Sequence, residues 1–263
     1  MKNLARELYR RLRALRARRI NKLDPRVTYP RWFRRLRRAH GAEAALKLAV
    51  GGEFEAMGLL ELETLKYFGL REDAYLVDVG CGSGRLAAPL SRYLKGRYLG
   101  VDIVPELIEH ARRLAGRPDW RFALGDGLSI PERDEVADMV CFFSVFTHLL
   151  HEQSYVYLRE AARVLKPDGT IVFSFLDFTV PRHWHAFEAN VGDIGVNMLH
   201  LNMFISKDAI PVWAEHLGLE VRDIRACGER FLPLPRPVSF EDGTVMEGLG
   251  SLRQSVCALG KKR

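Results

Sequence analysis

Three aspartates in this chain stand at the ends of short apolar runs, each beside a glycine or a helix start. Asp78 lies in Leu76-Val77-Asp78-Val79-Gly80-Cys81-Gly82-Ser83-Gly84-Arg85, Asp102 closes Arg97-Tyr98-Leu99-Gly100-Val101-Asp102, and Asp126 sits between Gly125 and Gly127. Carboxylates so placed can hold an ammonium group or the two hydroxyls of a ribose. The absent side chains at Gly80, Gly82 and Gly84 let a ligand approach the main chain, where the next helix offers N–H groups. Each feature also has a plain structural role, since glycines serve ordinary strand-to-helix turns and aspartates form turns and caps. Their recurrence at successive strand ends favours one shared crevice for a nucleotide-like ligand. An acid at Asp78 would repel a pyrophosphate and suits an ammonium.

These residues need a frame that brings strand ends together. Apolar patterning predicts helices over 53–68, 85–94, 105–114 and 153–165, with strands over 75–79, 97–102, 120–124, 136–143 and 170–176. Lys166-Pro167-Asp168-Gly169 reads as a turn after the fourth of these helices. Ser206 is expected to cap a helix running through Leu217, followed by strands near 219–226 and 255–259. This alternation predicts an α/β fold with a Rossmann-like, doubly wound, mostly parallel sheet of seven strands. No helix is apparent over 227–254, so the last strand is expected to run antiparallel.

The spacing G-x-G-x-G, with Asp78 two residues ahead, is where a family resemblance enters. LVDVGCGSGR, YLGVD, ALGDG, DMVCFFSVFTHL and YLREAARVLKPDGTIVFSF, in this order, resemble the motifs of class I S-adenosylmethionine-dependent methyltransferases over roughly residues 53–260. The resemblance implies S-adenosyl-L-methionine as cofactor. It places Gly80, Cys81 and Gly82 along the methionine portion, with Asp78 near its ammonium. It puts Asp102 on the ribose hydroxyls, Ile103 against adenine, Asp126 at the adenine amino group with Gly127 or Leu128 close by, and Phe143 and Ser144 beside the methionine and the reacting sulfur. The N-methyltransferase signature of an Asn or Asp followed by two prolines and an aromatic is absent. Ser144-Val145-Phe146-Thr147 stands there instead, which disfavours methylation of planar exocyclic nitrogens in nucleic acids. SVFTHL and GSLRQSVCALGKK resemble bacterial methyltransferases acting on small molecules and glycans.

Methyl transfer is an in-line displacement, so alignment of the acceptor contributes much of the catalysis. A hydroxyl acceptor also needs a base, and histidine is matched to that task near neutral pH. His148 is the first candidate, with His151 nearby; His183 is the second, with His185 two residues on. Each could equally hydrogen-bond a loop or pack. His183, His185 and His200 lack the carboxylate or cysteine spacing that would complete a metal site, so no metal is expected. Residues 177–205 exceed an ordinary connection and read as a substrate-facing lid. Trp184, Phe187, Met198, Leu199, Met203 and Phe204 give it an apolar character. The expected activity is O-methylation of a small molecule or saccharide. The alternatives are an RNA or protein methyltransferase that grips a polyanion, and a cofactor-binding scaffold without catalysis.

Charge divides the chain. Residues 1–40 hold fifteen Lys or Arg against Glu7 and Asp24, whereas the remainder is mildly acidic, within a net charge of +7. We expect residues 1–52 to form a basic helical extension and residues 53–263 a methyltransferase domain with the lid inserted at about 177–205. Leu4, Leu8, Leu12 and Leu15 would line one helix face, with a break at Leu23-Asp24-Pro25 and a second cluster, Arg31-Trp32-Phe33-Arg34-Arg35-Leu36-Arg37-Arg38. The extension could dock on the body or on a second copy of the chain, lie on an anionic membrane surface, or meet a polyanion. The four separated cysteines suit reduced thiols, and no apolar run reaches the roughly 18 residues of a span. A cytoplasmic protein, with peripheral membrane contact as an option, is the expectation.

Overall fold

The computed structural model describes residues 24–192 and 202–262. The leucine face at 4–15 and Met198, Leu199 and His200 lie outside the described residues. Seven strands form the main sheet: β1 Leu76–Val79, β2 Tyr98–Asp102, β3 Arg121–Leu124, β4 Ala137–Phe142, β5 Leu165–Phe175, β6 Leu219–Arg225 and β7 Ser255–Lys261. Their order is β3-β2-β1-β4-β5-β7-β6. All neighbours from β3 to β5 pair parallel, and β7 pairs antiparallel with both β5 and β6. The antiparallel strand is thus the last in sequence but lies between its two partners. The strand order reverses between β1 and β4, and the crevice beyond their carboxyl ends is where open α/β sheets bind ligands.

The buried strands are apolar on both faces because helices cover both. On one face α6 (His151–Val164) and α8 (Ala209–His216) pack Leu158, Ala161, Val164 and Ile210 against Val77, Val140 and Phe173. On the other, α3 (Phe54–Tyr67) and α4 (Ala87–Tyr93) pack Leu60, Leu65 and Leu90 against Leu76, Met139 and Val172. Helix α5 (Pro105–Ala115) follows β2 and approaches the glycine turn so closely that a Cβ on Gly84, at φ +94°, would lie 2.8 Å from Ala111 Cα. No side chain fits there.

Two helices precede the α/β body. Helix α1 (Pro25–His40) begins where the sequence marks a break: Asp24 accepts from the Arg26 N–H at 2.9 Å, and Pro25 occupies the first turn, where its missing donor costs nothing. The arginine cluster is the exposed side of this helix. Its buried residue, Phe33, packs against Ala45 and Ala49 at α2 (Ala42–Leu48) and against Val104 and Leu107 at the start of α5.

Three local expectations change. Helix α6 ends at Val164, and the Lys166–Gly169 stretch lies inside β5 as an irregularity: Ala137 pairs with Leu165 but Met139 with Thr170. Ser206 does not cap α8 with its side chain; its carbonyl accepts from the Ala209 N–H at 3.0 Å. The 177–205 connection carries its own helix, α7 (Pro181–Gly192), where Phe178, Trp184 and Phe187 form ring contacts with one another and with Phe204.

Truncating Phe33 removes the main anchor of α1. Phe33→Ala should weaken its docking by about 3 kcal/mol, seen as faster amide exchange over 25–40 with unchanged protection in β1, β4 and β5. Uniform loss of protection would show that α1 does not open separately from the body.

Candidate active site

A cavity of ≈ 380 Å³ opens at the switch point, within the range of small-ligand sites, roughly 300–1,000 Å³. Its floor is the carboxyl ends of β1, β2 and β4 with the turns that follow: Asp78 to Gly82, Asp102, Ile103, and Phe143 to Val145. Its outer wall comes from the N-terminal helices, through Tyr29, Trp32 and Leu48 to Gly51. The Tyr29 hydroxyl donates to the Ala49 carbonyl at 2.5 Å, tying α1 to the end of α2.

The glycine turn holds itself closed without a phosphate. Gly80 and Cys81 donate their N–H groups to the Val101 carbonyl at 2.7 and 3.0 Å, Gly82 donates to Asp102 Oδ2 at 2.9 Å, and Gly84 donates to the Cys81 carbonyl at 3.1 Å. A phosphate nest needs such N–H groups free, so this turn is not one. What it offers instead is carboxylates. Asp102 also accepts from the Val104 N–H at 2.9 Å. A carboxylate has about four lone-pair sites, so capacity remains for hydroxyl donors.

Asp78 lies opposite Gly100 and Cys141 in the sheet and is 3% exposed. The Tyr98 hydroxyl donates to it at 2.8 Å and the Cys141 thiol at 3.6 Å. Burial raises its pKa to about 7 despite the Tyr98 hydrogen bond, with buried Glu61 adding a further push. Burial raises Asp102 to about 6 against the pull of its backbone donors. Two carboxylates that resist ionising and border one cavity form a site for a ligand bearing positive charge and hydroxyl donors. S-adenosylmethionine, with its ammonium and ribose, fits this donor set; a pyrophosphate does not.

The sequence-predicted residues divide clearly. Asp78, Gly80, Cys81, Gly82, Asp102, Ile103, Gly127, Phe143, Ser144 and His148 all line the cavity. Asp126 does not: its side chain is exposed and accepts from the Ser129 hydroxyl at 2.6 Å, while its carbonyl accepts from Arg26. Leu128 packs against the core cluster beneath α6. His148 ends a 3₁₀ turn after β4, its ring 6.2 Å from that of Tyr29. His183 is buried away from the cavity lining. Its Nδ1 accepts from the Asp177 N–H at 2.9 Å and its Nε2 faces the Arg253 carbonyl at 3.3 Å, so the proton sits on Nε2 and both nitrogens are occupied. Burial holds its pKa below the usual histidine value. His151 contacts the Phe204 carbonyl, and His185 is exposed beside Glu188.

Several lining residues escaped the sequence reading. Glu61 and Arg85 form a buried ion pair in the cavity wall, with Arg85 also donating to the Val50 carbonyl. Arg85 stands in the glycine run, yet nothing in the sequence pairs it with Glu61, because α3 amphipathicity alone does not mark a buried acid. Tyr157 of α6 reaches the Gly127 carbonyl. Tyr29 and Trp32 carry a visible aromatic signal, but their basic surroundings point to an outward role. Gln254, just before β7, has no sequence signal.

Because burial raises both aspartates, the folded chain holds protons that the unfolded chain has released between about pH 4 and pH 6–7, and stability falls as pH rises through that window. Asp78→Asn cannot ionise. Its advantage in urea midpoint over the parent should widen from pH 4 to pH 7 and level off above; a constant or shrinking advantage would contradict a buried, reluctantly ionised Asp78.

Comparison with known proteins places this geometry. The Methyltransf_11 family model, a methyltransferase domain, matches residues 77–173, from β1 into β5. The chain is 28% identical over 149 residues to malonyl-[acyl-carrier protein] O-methyltransferase of Hahella chejuensis, covering 55% of this chain and 50% of that protein. It is 33% identical over 116 residues to ubiquinone biosynthesis O-methyltransferase of Bradyrhizobium diazoefficiens, covering 43% and 42%. The chain spans about half the length of the curated relatives it matches. Among solved structures, a chain of the complex between the Haloferax volcanii Trm112 methyltransferase activator and the putative methyltransferase aligns with a TM-score of 0.57 at 22% identity, covering 80% of this chain and 90% of that one. Magnesium protoporphyrin IX methyltransferase of Synechocystis PCC 6803, with bound SAH, aligns with a TM-score of 0.56 at 15% identity, covering 88% and 94%. The strand order is that of the class I methyltransferase fold, and residues 77–173, which supply most of the cavity floor, are the part of the chain that the methyltransferase-domain model matches.

Proposed function

We propose that the protein transfers a methyl group from S-adenosylmethionine to an oxygen atom of a small molecule. The observation that carries this reading is the cavity itself: two buried carboxylates on adjacent strands, a glycine turn whose N–H groups bond within the protein, and an outer wall that includes Tyr29 and Trp32 of α1. Asp78 would face the ammonium, Asp102 would take the ribose hydroxyls, and Ile103 would pack on the adenine. Phe143 and Ser144 border the reacting centre. The bound cofactor supplies an electrophilic methyl carbon on a positively charged sulfur. The chain's own contribution is to orient the acceptor in line and to keep water away. With a hydroxyl acceptor, His148 would take the proton from the acceptor oxygen; a carboxylate acceptor needs no base. The names of the relatives support oxygen: malonyl-[acyl-carrier protein] O-methyltransferase, fatty-acid O-methyltransferase and ubiquinone biosynthesis O-methyltransferase.

A second reading rests on the outer face of α1, which holds six arginines and no acid, with Arg31, Arg34, Arg37 and Arg38 exposed. A polyanionic partner or an anionic membrane surface would be drawn to this face beside the cavity. No helix among the described residues is long and apolar enough to cross a membrane. Combined replacement of Arg34, Arg37 and Arg38 by Glu would abolish a salt-sensitive association while sparing cofactor affinity if this reading holds.

Calorimetric titration with S-adenosylhomocysteine tests the first reading. Binding should weaken at least about tenfold in Asp102→Ala, a loss of ~1.4 kcal/mol. In the parent it should tighten as pH rises through about 6–7, as Asp102 and Asp78 ionise, and Asp78→Asn should flatten the upper part of that rise. Equal affinity in Asp102→Ala and the parent would overturn the assignment. His148→Gln should reduce turnover with radiolabelled S-adenosylmethionine in a fractionated extract without weakening cofactor binding.

A further inference from the structure

Beside Ser144 the cavity wall holds a polar relay whose other members, Ser174 and Gln254, have no part in the cofactor reading. Ser144 follows β4 at φ +58°, a left-handed conformation uncommon for serine. Its N–H donates to Ser174 Oγ at 2.8 Å, and its own hydroxyl approaches Gln254 Oε1 at 3.3 Å. Ser174 Oγ lies 2.6 Å from the same Gln254 Oε1. Both serine hydroxyls donate to Gln254 Oε1, which leaves the amide nitrogen turned away from the two serines. The backbone around it is equally fixed, since Ser255 and Val256 pair with Phe175 and Ser174. Gln254 lines the cavity, yet its Nε2 makes no hydrogen bond to any described residue. Ser144 stands beside it, and Leu176, Ala186 and Asn202 line the same cavity, with Asn202 held through its side chain and carbonyl by Asn190.

We propose that the Gln254 amide is the positioning group of the acceptor subsite, and that by donating a hydrogen bond to the acceptor atom it selects an oxygen carried on an apolar body. This deepens the methyl-transfer reading and rests on it. The selectivity follows from lone pairs. An amine nitrogen has one, and cannot both accept from Gln254 and attack a methyl carbon; a protonated amine has none and meets the amide with donors facing donors. A hydroxyl or carboxylate oxygen has at least two, so one can accept from Gln254 while another forms the C–O bond. Leu176 and Ala186, which line the same cavity, suit a hydrocarbon that carries that oxygen. Ser174 acts through Gln254, by holding its orientation.

Three probes of equal chain length separate the outcomes: octanoate, octan-1-ol and octylamine, titrated by calorimetry into the full chain saturated with S-adenosylhomocysteine. The parent should bind octanoate or octan-1-ol at least about tenfold more tightly than octylamine. Gln254→Ala should weaken the oxygen probe about fivefold, as for a lost neutral hydrogen bond, with S-adenosylhomocysteine affinity and thermal midpoint retained. Gln254→Glu keeps the bond from Ser174 but presents an acceptor, and should reverse the order so that octylamine binds most tightly. Ser174→Ala should lose part of the oxygen preference, through the freed amide. Parent binding of octylamine as tight as that of the oxygen probes, failure of both oxygen probes to bind, or an unchanged order in Gln254→Glu overturns the proposal. Failure of S-adenosylhomocysteine itself to bind, measured first in the same cell, instead removes the methyl-transfer reading and this inference with it.

Discussion

Asp102 holds two turns of this fold in register. One oxygen accepts from Gly82 in the turn after β1 and the other from Val104 at the start of α5, so a single buried side chain joins two neighbouring βα connections. The arrangement has an electrostatic cost, because a carboxylate removed from water resists its charge unless donors surround it. Here backbone N–H groups partly offset that cost, and the residual tension appears as a raised pKa. Asp78 is in a similar position one strand away, with a phenol and a thiol as donors. A ligand that brings positive charge and hydroxyls relieves both at once, so the desolvation that raises the two carboxylates favours such an occupant.

The close packing around the glycines follows from this constraint. A Cβ on Gly80 would meet Val145 Cγ2 at 2.3 Å, and one on Gly82 would meet Val50 Cγ1 at 2.5 Å. The turn is therefore pressed from both sides, by the segment after β4 and by the end of α2. Glycine here serves protein-to-protein contact as much as ligand approach. Residues ahead of the α/β body thus help to shape the floor of the cavity as well as to cover it.

Strands and helices were legible in the sequence because burial on both faces writes itself as continuous apolar runs, and glycines and prolines punctuate them. The three acids were legible for a related reason: a charged residue inside or at the end of such a run needs explaining. Yet Asp126, which shares that signal, points to Ser129 and solvent, because β3 is the sheet edge and its turn is open. His183 shows the opposite failure. Its chemistry suits a base, but only coordinates reveal that two backbone groups occupy its nitrogens. Tyr29 and Trp32 were visible as aromatics among arginines, though sequence periodicity does not say which face of α1 turns inward. Gln254 and Glu61 are set by tertiary pairing alone, and no local pattern announces them.

The position of β7 bears on how the site is assembled. This strand enters between β5 and β6, antiparallel to both, so the sheet stays split until residues 255–261 are in place. Pairings of such long sequence separation form slowly, since much chain must be ordered before the contacts are gained. Gln254 adjoins that strand, and its amide is oriented by Ser174 only once β7 has docked on β5. The part of the crevice built around Asp78 and Asp102 draws on strands close together in sequence, β1 and β2. The half beside Gln254 joins strands some eighty residues apart, so any selectivity that the proposed amide confers depends on the pairing of β5 with β7.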